Sequence, residues 1–370
     1  MPAFVDRIET LPRGARVLVG LSGGVDSSVA AALLHARGLD VVGVSLHLWE
    51  PDGGASTAGR CCAPEDLDDA RASAAALGIA HFTFDRQAAF EAHVVSPFVD
   101  EYLDGTTPSP CVVCNRDVKV GAFVALAARL GAVAFATGHY ARTGLVDGRP
   151  VLRRAADRGK DQSYFLHGIG ARALSMLVTP LGDLEKPAVR AVARDLGLPN
   201  ADKPDSEDLC FVDGDHARFV ERRASERVRP GPIVDRDGRV VGAHGGVHRF
   251  TIGQRKGLGV ALGKPAFVAS IDAATATVRL GEPGDLESRE AIVRDVRWLD
   301  ERALTGGARS LVARVRYRHE GAEATVEPLD DDGSSARVRF AAPARAVTPG
   351  QTCVFYEGEQ VVGGGRITRV

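Results

Sequence analysis

A glycine-rich turn between a predicted strand and a predicted helix constrains the fold of this chain more than any other feature. The strand-like run Arg16–Val19 leads into the turn Gly20–Ser28, whose sequence is GLSGGVDSS, and a helical stretch follows over Ser27–Arg37. Adjacent glycines let the backbone turn tightly and bring its N–H groups close to a bound anion. The positive N-terminal end of the following helix favours the same anion. The pattern therefore predicts a phosphate-binding site at the end of a strand.

The side chains of this turn support a phosphate site. Ser22, Ser27 and Ser28 supply hydroxyl donors, and the carboxylate of Asp26 can hold Mg²⁺. The Walker motif GxxxxGK[ST] does not occur in the chain. A strand-to-helix turn that binds no ligand would explain neither the serines nor the aspartate. The string SGGVDS resembles the PP-loop of ATP pyrophosphatases, which cleave ATP between its α and β phosphates.

Composition limits the class of protein. The chain has 370 residues, 45% hydrophobic and 25% charged, which predicts two or three globular domains. No apolar run reaches the roughly 18 residues of a membrane span, and the N-terminal segment lacks the apolar core of a signal peptide. We therefore expect a cytoplasmic protein with no membrane partner. A net charge of −2 means that any RNA binding must rely on local patches.

Strand-like and helix-like segments alternate over the first part of the chain. This alternation predicts an α/β fold with a doubly wound parallel sheet and helices on both faces. The predicted strands are Arg16–Leu21, Val41–Leu48, His81–Phe84 and Val133–Thr137, and the predicted helices are Ser27–Arg37, Glu65–Leu77, Gln87–Leu103, Asn115–Leu130 and Gly182–Gly197. Ligands of such sheets bind beyond the carboxyl ends of the strands, where the glycine turn and Thr137-Gly138-His139 would both lie.

After about Gln254 the pattern changes to short alternating strands separated by turns, which predicts an all-β barrel or sandwich. The predicted strands are Ala313–Arg318, Ala322–Pro328, Ala336–Phe340 and Cys353–Tyr356, with a hairpin connection at Asp330–Ser334. A basic, glycine-rich stretch before these strands is interpreted as a small connecting domain. We expect domain boundaries of 1–205, 206–285 and 286–370.

Two of the six cysteines are candidates for chemistry, because cysteines in a cytoplasmic protein of this size more often react or bind metal than cross-link the fold. Cys114 follows two prolines, and a helix is predicted to begin near Asn115, which would lower the pKa of the Cys114 thiol. Cys210 lies nearly a hundred residues later, and two such cysteines can still meet across an active site.

Other interpretations of the cysteines stay open. Cys111-x-x-Cys114 by itself can be a redox pair or half of a zinc site, and three of the cysteines can hold an iron–sulfur cluster. Cys353, on an apolar strand, is predicted to be a buried core residue. Cys61 and Cys62 have no assigned role.

Several further motifs occur in a fixed order with the glycine turn. They are TGHY at Thr137–Tyr140, GKDQSYFL at Gly159–Leu166, the Cys210-Phe211 segment, TIGQRKGLG at Thr251–Gly259, RVRYR at Arg314–Arg318, PGQ at Pro349–Gln351 and GGG at Gly363–Gly365. Together with SGGVDSS they make the chain similar to the tRNA-specific 2-thiouridylases over about 350 residues. These are bacterial enzymes that thiolate C2 of the wobble uridine.

The resemblance implies a mechanism and a nucleotide site. ATP with Mg²⁺ adenylates the C2 oxygen, Cys210 accepts a persulfide sulfur from a donor protein, and Cys114 is its partner and nucleophile. A Cys114–Cys210 disulfide then forms and must be reduced before the next turnover. The implied ATP-binding residues are Gly20, Leu21, Ser22, Gly23, Gly24, Val25, Asp26, Ser27, Leu46 and Gly138.

The resemblance also implies tRNA contacts, in part through a helical insertion in the first domain. The implied positions are Ser109, Pro110, Cys111, His139, Lys160, Asp161, Gln162, Arg316, Tyr317 and Gln351. Arginine and lysine suit phosphates, and an aromatic ring can stack on a base. Without the family, Arg316-Tyr317 would be an ordinary outward-facing strand pair. The stretch Arg218–Arg229, with five arginines and two glutamates, is either a phosphate patch or a solvated helix face.

One departure and three alternatives remain. Position 111 is cysteine where many relatives carry aspartate, so Cys111 can contact the base region, compete for a disulfide with Cys114 or ligate a possible [4Fe-4S] cluster. The alternative functions are cluster-dependent thiolation by the same fold, a PP-loop ligase that adds nitrogen after adenylation, and an RNA-binding scaffold with a degenerate nucleotide site. A ligase needs no paired cysteines, and the intact turn argues against a scaffold.

Overall fold

The computed structural model describes residues 3–50, 64–205, 209–260, 263–300 and 307–369. The chain divides into two compact units. The first comprises Met1–Val94, Cys111–Phe211 and Gly358–Val361, and the second comprises Val95–Pro110, Val212–Glu357 and Val362–Val370.

The regular elements follow in chain order. The strands are β1 (Phe4–Asp6), β2 (Arg16–Gly20), β3 (Asp40–His47), β4 (Ala80–Asp85), β5 (Ala134–Ala136), β6 (Ala141–Val146), β7 (Arg149–Arg154), β8 (Leu177–Val178), β9 (Gly231–Val234), β10 (Val240–His244), β11 (Phe267–Asp272), β12 (Thr277–Gly281), β13 (Glu287–Trp298), β14 (Arg309–Arg314), β15 (Ala322–Pro328), β16 (Ser335–Arg345), β17 (Thr352–Glu357) and β18 (Gln360–Arg369). The helices are α1 (Val25–Ala36), α2 (Pro64–Leu77), α3 (Gln87–Phe90), α4 (Ser96–Leu103), α5 (Pro110–Val113), α6 (Gly121–Leu130), α7 (Ser163–Leu166), α8 (Ala171–Met176), α9 (Lys186–Asp195) and α10 (His216–Ala224). No helix within the described residues is long and apolar enough to cross a membrane.

The first unit is built on a parallel sheet, as the sequence predicts. Among the described residues the strand order is β4-β3-β2-β5-β8, and all neighbouring pairs are parallel. The chain runs outward from β2 to β3 on one side and later returns to β5 on the other. A topological switch point therefore lies at the carboxyl end of β2, the place where such sheets bind ligands. Strand β2 is fully buried at Val17, Leu18 and Val19, because helices cover both faces.

Two predicted helices differ from the observed ones. The predicted helix Gln87–Leu103 is divided by a π-helical turn over Glu91–Val95. The helix predicted from Asn115 begins earlier, at Pro110, and runs through the π-helical turn Cys114–Val120 into α6. Proline suits the first turn of a helix, where its missing N–H has no intrahelical acceptor. The predicted helix Gly182–Gly197 is shorter, and only α9 is helical.

Sequence reasoning missed the antiparallel hairpin β6–β7 in the first unit. Its turn is Asp147-Gly148, with φ of 52° and 74°. A turn of this kind favours Asp-Gly, because both central residues need positive φ. The signal was therefore present in the sequence.

The second unit contains two β structures, and the expectation of an all-β C-terminal module is confirmed. A small sheet has the order β10-β9-β12-β11, and β13 to β18 form a closed barrel in the order β18-β13-β16-β15-β14-β17, with β17 pairing back to β18. The barrel core consists mainly of valine, alanine and phenylalanine side chains. The strand predicted at Ala313–Arg318 lies earlier, at β14, because residues 315–318 leave the sheet in a turn.

Candidate active site

The glycine turn lies at the carboxyl end of β2 and is folded back on itself by its own serines. The backbone N–H of Ser22 donates to Ser27 Oγ at 3.2 Å, and Ser27 Oγ donates to the carbonyl of Gly24 at 2.9 Å. Gly24 is the N-cap of α1, so the first N–H groups of that helix face the turn. Leu21, Val25 and Ser27 are buried. Leu21 packs with the core residues of the sheet, whereas Val25 packs in a separate cluster with Tyr140 and Val189.

Two glycines of the predicted ATP site are required by close backbone approach. Gly23 has φ of 74°, and a Cβ there would lie 2.2 Å from the carbonyl oxygen of Asp66 at the start of α2. A Cβ on Gly138, just after β5, would lie 2.7 Å from the backbone nitrogen of Ser27. Gly138 therefore packs directly against the turn, while Leu46 is buried near the end of β3. All of the predicted ATP-binding residues belong to the first unit.

The carboxylate of Asp26 is held by residues far away in sequence. Tyr140 Oη donates to Asp26 Oδ1 at 2.8 Å, and Lys186 Nζ donates to both carboxylate oxygens at 2.7 and 2.8 Å. The same ammonium lies 2.8 Å from Asp205 Oδ1. Lys186 is 8% exposed, so it is a buried cation shared by two carboxylates. Any Mg²⁺ at Asp26 must compete with this ammonium.

The electrostatics of this group follow from its burial and its partners. Burial opposes ionisation of Asp205, but hydrogen bonds from Lys160 and Lys186 and their charges lower its pKa to about 2. Burial, together with the charge and hydrogen bond of Asp26, raises the pKa of Tyr140. Tyr140 therefore stays a protonated donor to Asp26, and Asp205 stays an anion at neutral pH.

The predicted tRNA positions of the first unit are held by internal contacts. His139 Nδ1 lies 2.8 Å from Thr137 Oγ1, and burial and the charge of Lys119 lower the pKa of His139 to about 3. Lys160 Nζ donates to Asp205 at 2.7 Å. Asp161 is 2% exposed and accepts from Arg154 Nε at 3.0 Å. These contacts all join residues within the first unit.

Of the remaining predicted tRNA positions, Gln162 and Gln351 make hydrogen bonds within the protein, whereas Arg316 is exposed to solvent. Gln162 Oε1 accepts from the backbone N–H of Tyr140 at 3.0 Å. In the second unit, Gln351 Nε2 donates to the carbonyl of Pro108 at 3.0 Å, beside half-buried Ser109 and buried Pro110. Arg316 is exposed and Tyr317 half-buried, so they can meet a large ligand.

The cysteines occupy different environments. Cys111 is exposed in the first turn of α5, Cys114 is buried one turn later, and Cys210 is half-buried; all three belong to the first unit. Because the helix begins at Pro110, the prediction that Cys114 sits at a helix N-terminus is wrong. Cys353 is buried in the barrel as predicted, and burial raises the pKa of its thiol. Cys61 and Cys62 lie outside the described residues.

Sequence reasoning missed several residues that surround the turn. Tyr140, Lys186, Asn200 and Asp205 all contact the turn or its ion pairs. Tyr140 closes the TGHY motif and could have been included for that reason. Lys186 and Asn200 carried no signal, because each contact spans more than 150 residues of sequence.

No group of three or more His, Cys, Asp or Glu side chains within the described residues is arranged to hold a metal ion. The four cysteines that the structure describes therefore form no such group, and we derive no step through an iron–sulfur cluster.

Comparison with known families covers nearly the whole chain. Residues 15–214 match the tRNA methyl transferase HUP domain, residues 217–282 the tRNA methyl transferase PRC-barrel domain, and residues 288–367 the aminomethyltransferase beta-barrel domain. The described parallel sheet lies in the first of these ranges and the closed barrel in the last.

Curated relatives are similar over almost their full length. The tRNA-specific 2-thiouridylase MnmA of Sorangium cellulosum is 56% identical, with 96% of this chain and 92% of the relative covered. The enzymes of the same name from Moorella thermoacetica (46% identical, 95% and 99% covered) and Azorhizobium caulinodans (45% identical, 100% and 96% covered) are also similar. Although two of the matching models carry a methyl transferase description, these relatives are named for thiolation. The chain thus belongs to the tRNA-specific 2-thiouridylase family, which confirms the resemblance carried by its motifs.

Proposed function

We propose that this protein is a tRNA sulfurtransferase that thiolates C2 of the wobble uridine at the expense of ATP, with Cys114 and Cys210 as the reacting thiols. The observation that carries the proposal is the glycine turn at the switch point of the parallel sheet, in the same unit as both cysteines. Membership of the 2-thiouridylase family supports the same reaction. The thiol chemistry suits the cytoplasm, where cysteines are kept reduced.

The first step of the proposed reaction is adenylation. The C2 oxygen of uridine is a poor leaving group, and its attack on the α phosphate of ATP converts it into an adenylate and releases pyrophosphate. Backbone N–H groups at the start of α1 and the hydroxyls of Ser22 and Ser27 would bind the phosphates. Mg²⁺ bound with ATP would neutralise charge on the phosphates, and Asp26 is the carboxylate proposed to hold it. Displacement of Lys186 from Asp26 would free this ammonium for a phosphate oxygen.

The second step is sulfur transfer. A donor protein leaves one sulfur on Cys210 as a persulfide, whose terminal sulfur attacks C2, and AMP departs with the C2 oxygen. The Cys114 thiolate then attacks the inner sulfur of Cys210, so that the S–S bond breaks and the terminal sulfur stays on the uridine. A Cys114–Cys210 disulfide remains, and an external reductant supplies two electrons to restore the thiols.

The barrel of residues 286–370 is proposed to contribute tRNA affinity and no chemistry. Its exposed Arg316 and neighbouring Tyr317 offer a phosphate contact and a stacking surface. The motif positions Ser109, Pro110, Cys111, His139, Lys160, Asp161, Gln162 and Gln351 are proposed tRNA contacts as well. The internal contacts of Asp161 and Gln162 favour a supporting role for these two, in which they hold the backbone that meets RNA.

Substitution of the cysteines tests the mechanism, with Cys111→Ser as the matched control. Cys210→Ser should still adenylate tRNA but transfer no sulfur, and Cys114→Ser should lose multiple-turnover thiolation. Mass spectrometry after treatment with a persulfide donor should place the added sulfur on Cys210. After one turnover without reductant, a Cys114–Cys210 crosslink should appear in wild-type protein and in Cys111→Ser.

Three outcomes would contradict the proposal. Thiolation that persists in Cys210→Ser would remove the persulfide carrier. ATP cleavage with amide formation and no need for either cysteine would favour a PP-loop ligase. If activity follows the iron content of anaerobically purified protein and also requires Cys111, the cluster-dependent mechanism would replace the persulfide mechanism.

A further inference from the structure

Asn200 lies in the segment that follows α9, and its side chain contacts the glycine turn. Its side chain is 3% exposed, and Nδ2 donates to the carbonyl of Gly23 at 3.0 Å and to Ser28 Oγ at 2.9 Å. The first of these bonds joins residues 177 positions apart. No sequence motif predicts this contact, and none of the steps described above uses Asn200.

The bond to Gly23 fixes the direction of the next N–H group. In a planar trans peptide the C=O and N–H bonds point to opposite sides. Because the Gly23 carbonyl points toward Asn200, the N–H of Gly24 points away from Asn200. The carbonyl of Gly24 is also turned inward, since it accepts from Ser27 Oγ at 2.9 Å. The carbonyl oxygens of Gly23 and Gly24 both accept hydrogen bonds from within the protein, which suits an anion site.

This peptide needs an external partner because glycines flank it on both sides. Gly23 has φ of 74° and Gly24 has φ of −86°. Glycine adopts either sign of φ with little penalty, so neither flanking residue has a Cβ that would oppose rotation of the peptide plane. The rotated plane would direct the Gly23 carbonyl oxygen toward a bound phosphate, and the two negative groups would repel each other.

We propose that Asn200 is a positioning residue that keeps the Gly24 N–H directed at the phosphates of ATP. This inference rests on the proposed nucleotide site and adds to it a determinant from outside the turn. Asn200 acts through the Gly23–Gly24 peptide, whereas its bond to Ser28 anchors the side chain.

The test compares a ligand with phosphates and a ligand without them. Dissociation constants for ATP and for adenosine are measured by calorimetry for wild type, Asn200→Ala, Asn200→Asp and Asp202→Ala. Asn200→Ala should weaken ATP binding about tenfold, the worth of one hydrogen bond to a charged group, and leave adenosine binding unchanged. Asn200→Asp should weaken ATP binding further, because its carboxylate repels the Gly23 carbonyl. Asp202→Ala, at an exposed position of the same segment that pairs with Arg194, should change ATP binding less than about threefold.

The outcomes separate this inference from the proposed function. Wild-type protein that fails to bind ATP would overturn both. Wild-type protein that binds ATP, with Asn200→Ala binding it equally well, would overturn the positioning role alone. Equal losses for ATP and adenosine in a folded Asn200→Ala protein would also overturn it, because a general disturbance of the pocket would then explain the effect.

Discussion

The glycine turn of the first unit and the barrel of the second are stabilised in different ways. Side chains that hold the turn come from distant parts of the chain, as Asn200 does for Gly23 and Lys186 for Asp26. On the barrel, Arg339 pairs with Glu327 on the adjacent strand β15, and exposed pairs of this kind contribute at most about 1 kcal/mol. Substitution of a residue that contacts the turn should therefore alter nucleotide binding even when it is distant in sequence. Substitution of an exposed barrel residue should change only the contacts of that residue.

The largest expected effect is at Asp26. In Asp26→Asn, tRNA-dependent production of AMP and pyrophosphate should fall about a thousandfold, because the charge proposed to hold Mg²⁺ is lost. The amide oxygen still accepts from Tyr140 and Lys186, so the protein should remain folded. Asp26→Ala removes these acceptors and should also lower the melting temperature. Undiminished ATP cleavage by folded Asp26→Asn would contradict the PP-loop site.

Gly138→Ala tests whether the turn depends on contacts from outside it. The new Cβ would lie 2.7 Å from the backbone nitrogen of Ser27, so the turn must move, and ATP affinity should fall by about one order of magnitude. Gly121→Ala is the matched control, because a Cβ there meets nothing within 4 Å and the site is helical. It should leave ATP binding unchanged and stabilise the protein by up to about 1 kcal/mol. Normal ATP affinity in Gly138→Ala would show that the turn does not depend on its contact with Gly138.

A smaller effect is expected on the barrel. Arg316→Ala and Tyr317→Ala should each weaken tRNA binding several-fold and leave ATP affinity unchanged, and Arg316→Ala should reduce the salt dependence of tRNA binding. Filter-binding measurements at several salt concentrations provide the test. Arg339→Ala, an exposed arginine paired with glutamates, is the control. Equal effects of all three substitutions would show that the surface has no specific tRNA contact.

Point substitutions are preferable to removal of everything beyond Glu287, because such a deletion would also damage the first unit. Residues Gly358–Val361 belong to that unit, where Glu359 accepts hydrogen bonds from Arg142 and Arg158. A deletion would therefore confuse loss of tRNA affinity with loss of these ion pairs.

The smallest expected effect concerns the pH dependence of stability in the first unit. Burial and Lys119 lower the pKa of His139 to about 3, and for His167 burial, opposed by a hydrogen bond to the Tyr164 carbonyl, lowers the pKa to about 4. The unfolded chain binds protons at these histidines below about pH 6.5 while the folded chain does not, so the free energy of unfolding should fall from pH 6.5 toward pH 4. Denaturant titrations should show a shallower fall for His167→Gln than for the exposed control His35→Gln. An identical fall in both variants would show that His167 does not contribute to the pH dependence of stability.

Sequence alone determined the parallel sheet, the turn after β2 and the β character of the C-terminal region. These follow from local signals: alternation of strands and helices, adjacent glycines before a helix start, and short alternating strands. The predicted start of the Cys114 helix near Asn115 is wrong, because the helix begins at Pro110, a residue that suits the first turn of a helix. The Asp-Gly turn of the β6–β7 hairpin was present in the sequence but overlooked.

Only the tertiary structure decided what surrounds the turn. The hydrogen bonds from Lys186 and Tyr140 to Asp26, and from Asn200 to Gly23, each join positions more than 100 residues apart. A buried charge or carbonyl requires a partner, but local sequence does not state which distant side chain supplies it. The sequence therefore predicts which backbone groups bind phosphate, whereas long-range packing sets the direction of the Gly23 carbonyl through Asn200.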